Sequence, residues 1–227
     1  SGGSSYLWSN GATTSSITVG PTTTTIYIVT VTDDKGCTAN TSETVIVNPL
    51  PIPTIAGVNE LCFGESTTLT ASGGSSYLWS NGATTSSITV GPTTTTTFSV
   101  TVTDDKGCTG NTSETVIVNP LPTPSISGDN ELCFGESTTL TASGGSSYVW
   151  SHGATTNSIT ISPTATTTYN VTVTDDKGCT ANTSETVNVN PLPTPTITGD
   201  NELCFGESIT LAASGGSSYV WSNGSTT

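Results

Sequence analysis

The chain has 227 residues, a formal net charge of −14, only 9% charged residues, three lysines, no arginine and no methionine. So acidic a chain with so few cations lacks the basic surface that nucleic acid or an anionic membrane requires, and no apolar run reaches spanning length. Thr, Ser and Gly are in large excess, which favours strands and turns over charge-paired helices.

A fixed period organises everything else. Trp8, Trp79, Trp150 and Trp221 stand 71 residues apart, and the cysteines keep the same interval as Cys37, Cys108 and Cys179 and as Cys62, Cys133 and Cys204. Self-similarity at a fixed spacing marks a repeat array. The expected division is a partial repeat over 1–49, complete repeats over 50–120 and 121–191, and a partial repeat over 192–227. The chain opens in mid-unit, as a window cut from something longer would.

The complete unit 50–120 is a succession of short strands and turns. Pro51-Ile52-Pro53 imposes an extended, stiff connection. Ser66–Ala71 reads as a strand closed by the Gly73-Gly74 turn. Tyr77-Leu78-Trp79-Ser80 follows, then Asn81-Gly82, a pair suited to a tight hairpin turn with positive φ. Ser87–Val90 is a further short strand. Thr97–Thr103 alternates apolar and polar strictly, as a half-buried strand must. Asp104-Asp105-Lys106-Gly107 turns the chain, and Thr115–Val118 returns it. About seven short strands with turns every 8–12 residues give an all-β immunoglobulin-like sandwich, repeated end to end as a rod.

The copies test the alternation. Ser99 is Ile28 and Asn170 elsewhere, whereas Phe98, Tyr27 and Tyr169 stay aromatic. Ile117 becomes Asn188 between Val187 and Val189. The aromatic position faces the core and the variable one faces water. Trp8, Trp79, Trp150 and Trp221, with Tyr77, Tyr148, Phe98 and Tyr169, are expected in the core rather than on a sugar-stacking platform.

Six cysteines with no Cys-x-x-Cys pair and one histidine indicate disulfides in an oxidising, extracellular setting. Two connectivities stand open. Within units, Cys62 would join Cys108 and Cys133 would join Cys179. Between units, Cys62 would join Cys179, with Cys37 and Cys204 pairing outside these residues. Cys62 and Cys108 lie at opposite ends of a sandwich whose strands span roughly 20–25 Å, and a disulfide needs Cα atoms within about 7 Å, so the between-unit bridge is favoured. The same stacking would bring Asn59, Glu60 and Glu65 towards Asp175 and Asp176, an oxygen set suited to Ca²⁺; a solvated turn is the competing reading. His152 stands where the other copies have Asn and is a turn residue. Asn40, Asn111 and Asn182 begin Asn-Thr-Ser sequences at polar strand starts. No Gly-x-Ser-x-Gly elbow, P-loop or paired catalytic carboxylates can be found, so no enzymatic role is expected.

The phrase Tyr77-x-Trp79-Ser80-x-Gly82, the run from Pro92 through the threonines, Val100-Thr-Val-Thr-Asp-x-x-Gly107-Cys108, and Leu61-Cys62-x-Gly64-x-Ser66-x-Thr68-Leu69 together resemble immunoglobulin-like repeats of giant Bacteroidota cell-surface adhesins. These are relatives of the PKD fold exported by the type IX system, gliding-motility adhesins among them. The resemblance implies a structural or adhesive role, with neighbouring repeats as immediate partners and a surface, polysaccharide or protein met elsewhere in the full protein. PKD units carry an acidic Gly-Asp-Gly segment after the Trp; here Ser80-Asn81-Gly82-Ala83 replaces it, so any role of that acidic turn does not transfer.

Overall fold

The computed structural model describes residues 5–226, all of them strand, turn or irregular chain without helix. They form two compact units, one ending at Val118 and one beginning at Asn119.

The first unit begins with β1 (Ser5–Trp8), β2 (Thr25–Thr32) and β3 (Thr38–Val45), which pair antiparallel in the order β1-β2-β3. A complete sandwich follows. One sheet holds β4 (Thr54–Ala56), β6 (Thr67–Ser72) and β8 (Ser87–Val90) in the order β4-β6-β8. The other holds β5 (Glu60–Cys62), β7 (Ser76–Trp79), β9 (Thr96–Thr103) and β10 (Thr109–Asn119) in the order β5-β10-β9-β7. Seven strands in two facing sheets make each complete repeat an immunoglobulin-like sandwich.

The core is built from alternate residues of both sheets, as a period-two side-chain pattern requires. Leu69, Ala71, Ile88 and Val90 from the smaller sheet meet Leu61, Trp79, Val100, Val102 and Val116 from the larger, with Ile55, Tyr77, Ala83 and Phe98 at the margin. Ser99 and Ile117 face outwards. The Trp79 indole N–H donates to the Thr85 carbonyl oxygen at 2.9 Å, so the largest core side chain also fixes the loop that carries the chain to the opposite sheet. The Tyr77 hydroxyl donates to the Gly74 carbonyl at 3.0 Å. Gly74 itself has no space for a side chain: a Cβ there would lie 2.4 Å from Val102 Cγ1 and 2.7 Å from the Thr103 carbonyl oxygen.

The second unit repeats this design. β11 (Ser125–Ser127), β13 (Thr138–Ser143) and β15 (Ser158–Ile161) form one sheet; β12 (Glu131–Cys133), β14 (Ser147–Trp150), β16 (Thr167–Thr174) and β17 (Thr180–Asn190) form the other. Its core has Leu140, Trp150, Val171, Val173 and Val187 at the same places. Beyond it, among the described residues, β18 (Thr196–Thr198) pairs with β19 (Ala212–Ser214) in a two-stranded sheet. Leu61 and Leu69 are 7% and 0% exposed, whereas their counterparts Leu203 and Leu211, with no facing sheet, are 52% and 45% exposed. Burial is therefore created by the meeting of two sheets, not by local sequence.

One expectation needs correction. Asn81-Gly82 does not join a hairpin. β7 pairs with β9 and β8 pairs with β6, in different sheets. The turn closes on β7 itself, the Trp79 N–H reaching the Ala83 carbonyl at 2.9 Å. Gly82 has φ +86° but Asn81 does not have positive φ, which excludes the hairpin turn with two left-handed residues.

Candidate functional site at the cysteine turns

Each complete repeat carries two cysteines, one beside each end of its last strand. Cys133 ends β12, which runs parallel to β17 with Cys133 opposite Asn190. Cys179 immediately precedes Thr180, the first residue of β17. Eleven residues of extended strand separate these positions, roughly 35 Å. In the first unit the Ile117 N–H donates to the Asn59 carbonyl at 2.8 Å, so β5 likewise lies beside the far end of the strand that begins after Cys108.

The two cysteines of one repeat thus lie far apart in this structure. Cys108 and Cys133 carry free thiols, as do Cys37 and Cys204. Cys62 and Cys179 are each disulfide-bonded. Cys179 is fully buried, and the equivalent Cys108 is half-buried.

The local structure around all six cysteines is the same in kind. At the Cys-Phe-Gly-Glu turns the Glu side chain reaches back to the cysteine backbone: the Cys62 N–H donates to Glu65 Oε2 at 3.0 Å, Cys133 to Glu136 at 2.8 Å and Cys204 to Glu207 at 3.1 Å. The Glu N–H returns a bond to the cysteine carbonyl, at 3.0 Å in every copy. At the Asp-Asp-Lys-Gly-Cys turns the first Asp does the same from the other side. Its Oδ1 accepts from the N–H of Cys37 at 2.8 Å, of Cys108 at 2.9 Å and of Cys179 at 2.9 Å, while its own N–H donates to the cysteine carbonyl at 3.0 Å. Oδ1 accepts a second bond from the Lys N–H two residues on, 2.9 Å in each copy. Every cysteine thus has both backbone polar groups held by one acidic residue.

These contacts explain where the acids lie. Glu65 and Asp175, expected in a Ca²⁺ site with Asn59, Glu60 and Asp176, turn their carboxylates onto backbone N–H groups of their own turns. Asn59 gives its Nδ2 to Glu114 Oε1 at 2.7 Å. Among the described residues no three His, Cys, Asp or Glu side chains group so as to hold a metal ion. The role of Glu and Asp as holders of the cysteine backbone escaped sequence reasoning. The signals were present as Cys-x-x-Glu and Asp-x-x-x-Cys, spacings at which a carboxylate can bond a nearby backbone N–H.

The remaining singled-out residues take structural places. Trp79 and Trp150 are buried, Trp8 and Trp221 half-buried, and Tyr77, Tyr148, Phe98 and Tyr169 line the core margin. His152 is exposed in its turn, its ring edge-on to Tyr169 with centroids 6.4 Å apart. Asn40, Asn111 and Asn182 point outwards near the starts of β3, β10 and β17. An open depression of about 400 Å³ lies in the second unit among Val149, Ser151, Asn170, Thr172 and Asn182.

No family model and no curated protein matches the chain. Solved structures do. A Ca²⁺-stabilised adhesin of an Antarctic bacterium that binds ice is 17% identical over 88% of this chain and 68% of its own, with TM-score 0.42. A 1.5-MDa bacterial ice-binding adhesin is 14% identical over 83% and 86%, with TM-score 0.37. Murine CEACAM1b is 12% identical over 62% and 100%, with TM-score 0.33. No helix of the described residues is long and apolar enough to cross a membrane.

Proposed function

We propose that this chain belongs to the shaft of a long extracellular surface filament or adhesin serving adhesion or gliding motility, and that it has no catalytic role. The observation that carries this reading is the oxidation of Cys62 and Cys179, which belong to successive copies of one sandwich, while the within-unit partners Cys108 and Cys133 stay reduced. In this reading the two bonded cysteines are bonded to each other. The bridge then staples neighbouring sandwiches of an array divided as 1–49, 50–120, 121–191 and 192–227. Disulfides persist in oxidising compartments, which agrees with an extracellular location. The resemblance to Bacteroidota adhesin repeats, of PKD-like type and secreted by the type IX route, gives the reading its finer form.

Two experiments test it. Trypsin can cut only after Lys35, Lys106 and Lys177. Without reductant the staple joins peptide 36–106 to peptide 178–227, whereas within-unit bridges join both of these to 107–177. In solution scattering an end-to-end array of units about 35 Å long has a radius of gyration near 30 Å, against about 17 Å for a compact particle of this length. The compact value would end the shaft reading.

A second reading, a multivalent glycan- or protein-binding array, is favoured by the depression around Val149 and Asn182; spacer units of a secreted hydrolase are the remaining alternative, with no observation in their favour. The depression's amide, hydroxyl and aliphatic lining suits a sugar, and binding on a glycan array by the intact chain would support the second reading.

A further inference from the structure

We infer that Glu65 and Asp175 are positioning residues for the bridge, setting the two cysteines in bonding geometry before oxidation. The inference rests on the reading of Cys62 and Cys179 as partners and adds what prepares them.

Three observations carry it. First, the hold is reciprocal at all six cysteines: a carboxylate oxygen accepts the cysteine N–H and the same residue's N–H donates to the cysteine carbonyl. Two bonds to one residue restrain the backbone on both sides of Cα, and so the direction of Cα–Cβ, which leaves rotation about that bond as the sulfur's freedom. Second, the hold is indifferent to oxidation. Cys108, with a free thiol, and Cys179, bonded, both lie 2.9 Å from their Asp Oδ1; Cys133, free, and Cys62, bonded, lie 2.8 and 3.0 Å from their Glu Oε2. A contact imposed by the bridge would be lost where the bridge is missing. Third, the hold does not need the sandwich. Cys204 keeps it, with Glu207 Oε2 at 3.1 Å, in the segment between β18 and β19 where Leu203 and Leu211 are half exposed. At the Cys-Phe-Gly-Glu turn the geometry is therefore local: it forms without the packed sandwich at Cys204 and without a bridge at Cys133.

The consequence is a higher effective concentration of one thiol for the other, because less conformational freedom is lost when the bond forms. Bridge formation releases two protons and two electrons from two thiols. In a glutathione buffer the oxidised glutathione accepts them through a mixed disulfide and leaves as two reduced molecules.

The test measures that equilibrium on the whole chain, by mass spectrometry of acid-quenched samples across a series of glutathione ratios. E65A and D175A each lower the bridging constant about fivefold, the worth of a partly exposed charge-assisted hydrogen bond. E65Q and D175N keep an acceptor oxygen at the same reach and stay within about twofold of the unmutated chain. E136A and D104A remove the same contacts at the unbonded Cys133 and Cys108 and leave the constant unchanged; they also report, by thermal melting, what the turn contributes to folding alone. A flat response to E65A and D175A, or an equal response to E136A and D104A, overturns the inference while the bridge stands. Loss of the joined 36–106 and 178–227 peptides in the unmutated chain overturns the bridge, and this inference with it.

Discussion

Trp79→Ala tests the account of what holds a unit together. Trp79 is 2% exposed and packs in the core between both sheets, so its removal forfeits the transfer of a full aromatic side chain and leaves a cavity, about 3–5 kcal/mol in such cases. The Thr85 carbonyl also loses its indole N–H donor at 2.9 Å, adding about 1 kcal/mol. A domain of about 70 residues has roughly 4–10 kcal/mol in total, so the variant sits near the edge of folding. At about 4–8 °C per kcal/mol for domains of this size, its melting falls by roughly 15–50 °C. Scanning calorimetry in reducing buffer should show one transition moved and the other in place, and Trp150→Ala should move the other by a similar amount. Trp221→Ala, at a half-buried copy with no facing sheet, should shift melting by only a few degrees. If Trp221→Ala proved as damaging as Trp79→Ala, burial between two sheets would not be the source of the stability.

Three further outcomes are expected. Gly74→Ala places a Cβ 2.4 Å from Val102 Cγ1 and should cost about 1–3 kcal/mol, whereas Gly216→Ala, whose nearest atom is 3.6 Å away, should cost far less; urea titration measures both. Asp104→Ala frees the N–H groups of Lys106 and Cys108 and should lower stability by about 1–2 kcal/mol by the same titration. Melting in EDTA should match melting in millimolar Ca²⁺, because the carboxylates of Glu65 and Asp175 are engaged with backbone N–H groups; a rise of several degrees with Ca²⁺ would favour the Ca²⁺ site instead.

The strands were legible where one face is buried and the other is wet. Thr97–Thr103 declared itself through Phe98, Val100 and Val102, and the structure differs by one residue, β9 starting at Thr96. The apolar pattern predicts a returning strand only over Thr115–Val118, whereas β10 runs from Thr109. Its first half, Thr-Gly-Asn-Thr-Ser-Glu, carries no apolar alternation, and the register of Thr109 against Thr103 imposes the strand from outside. Sheet membership was not local either. Asn81-Gly82 predicts a reversal, but Ile88 and Val90 reach the core only from the opposite sheet, which draws β8 to β6. The wide separation of Cys62 from Cys108 was legible because strand length alone decides it. The acids beside the cysteines were not, since a carboxylate that organises a turn and one that awaits a cation look alike in sequence.

The parallel pairing of β12 with β17 has a mechanical consequence. These are the strands through which the second unit's chain enters its larger sheet and leaves it, matched at Glu131–Asn188, Leu132–Val189 and Cys133–Asn190. A pull that draws β12 towards its beginning and β17 towards its end slides one strand along the other and loads all the pairs together. Antiparallel strands pulled from a shared end would instead unzip, their bonds breaking in succession. The larger sheet therefore resists a pull applied through these two strands as a lap joint does, and Asn188 and Asn190, whose amides donate to Glu131 at 2.9 and 3.0 Å, act as its pins.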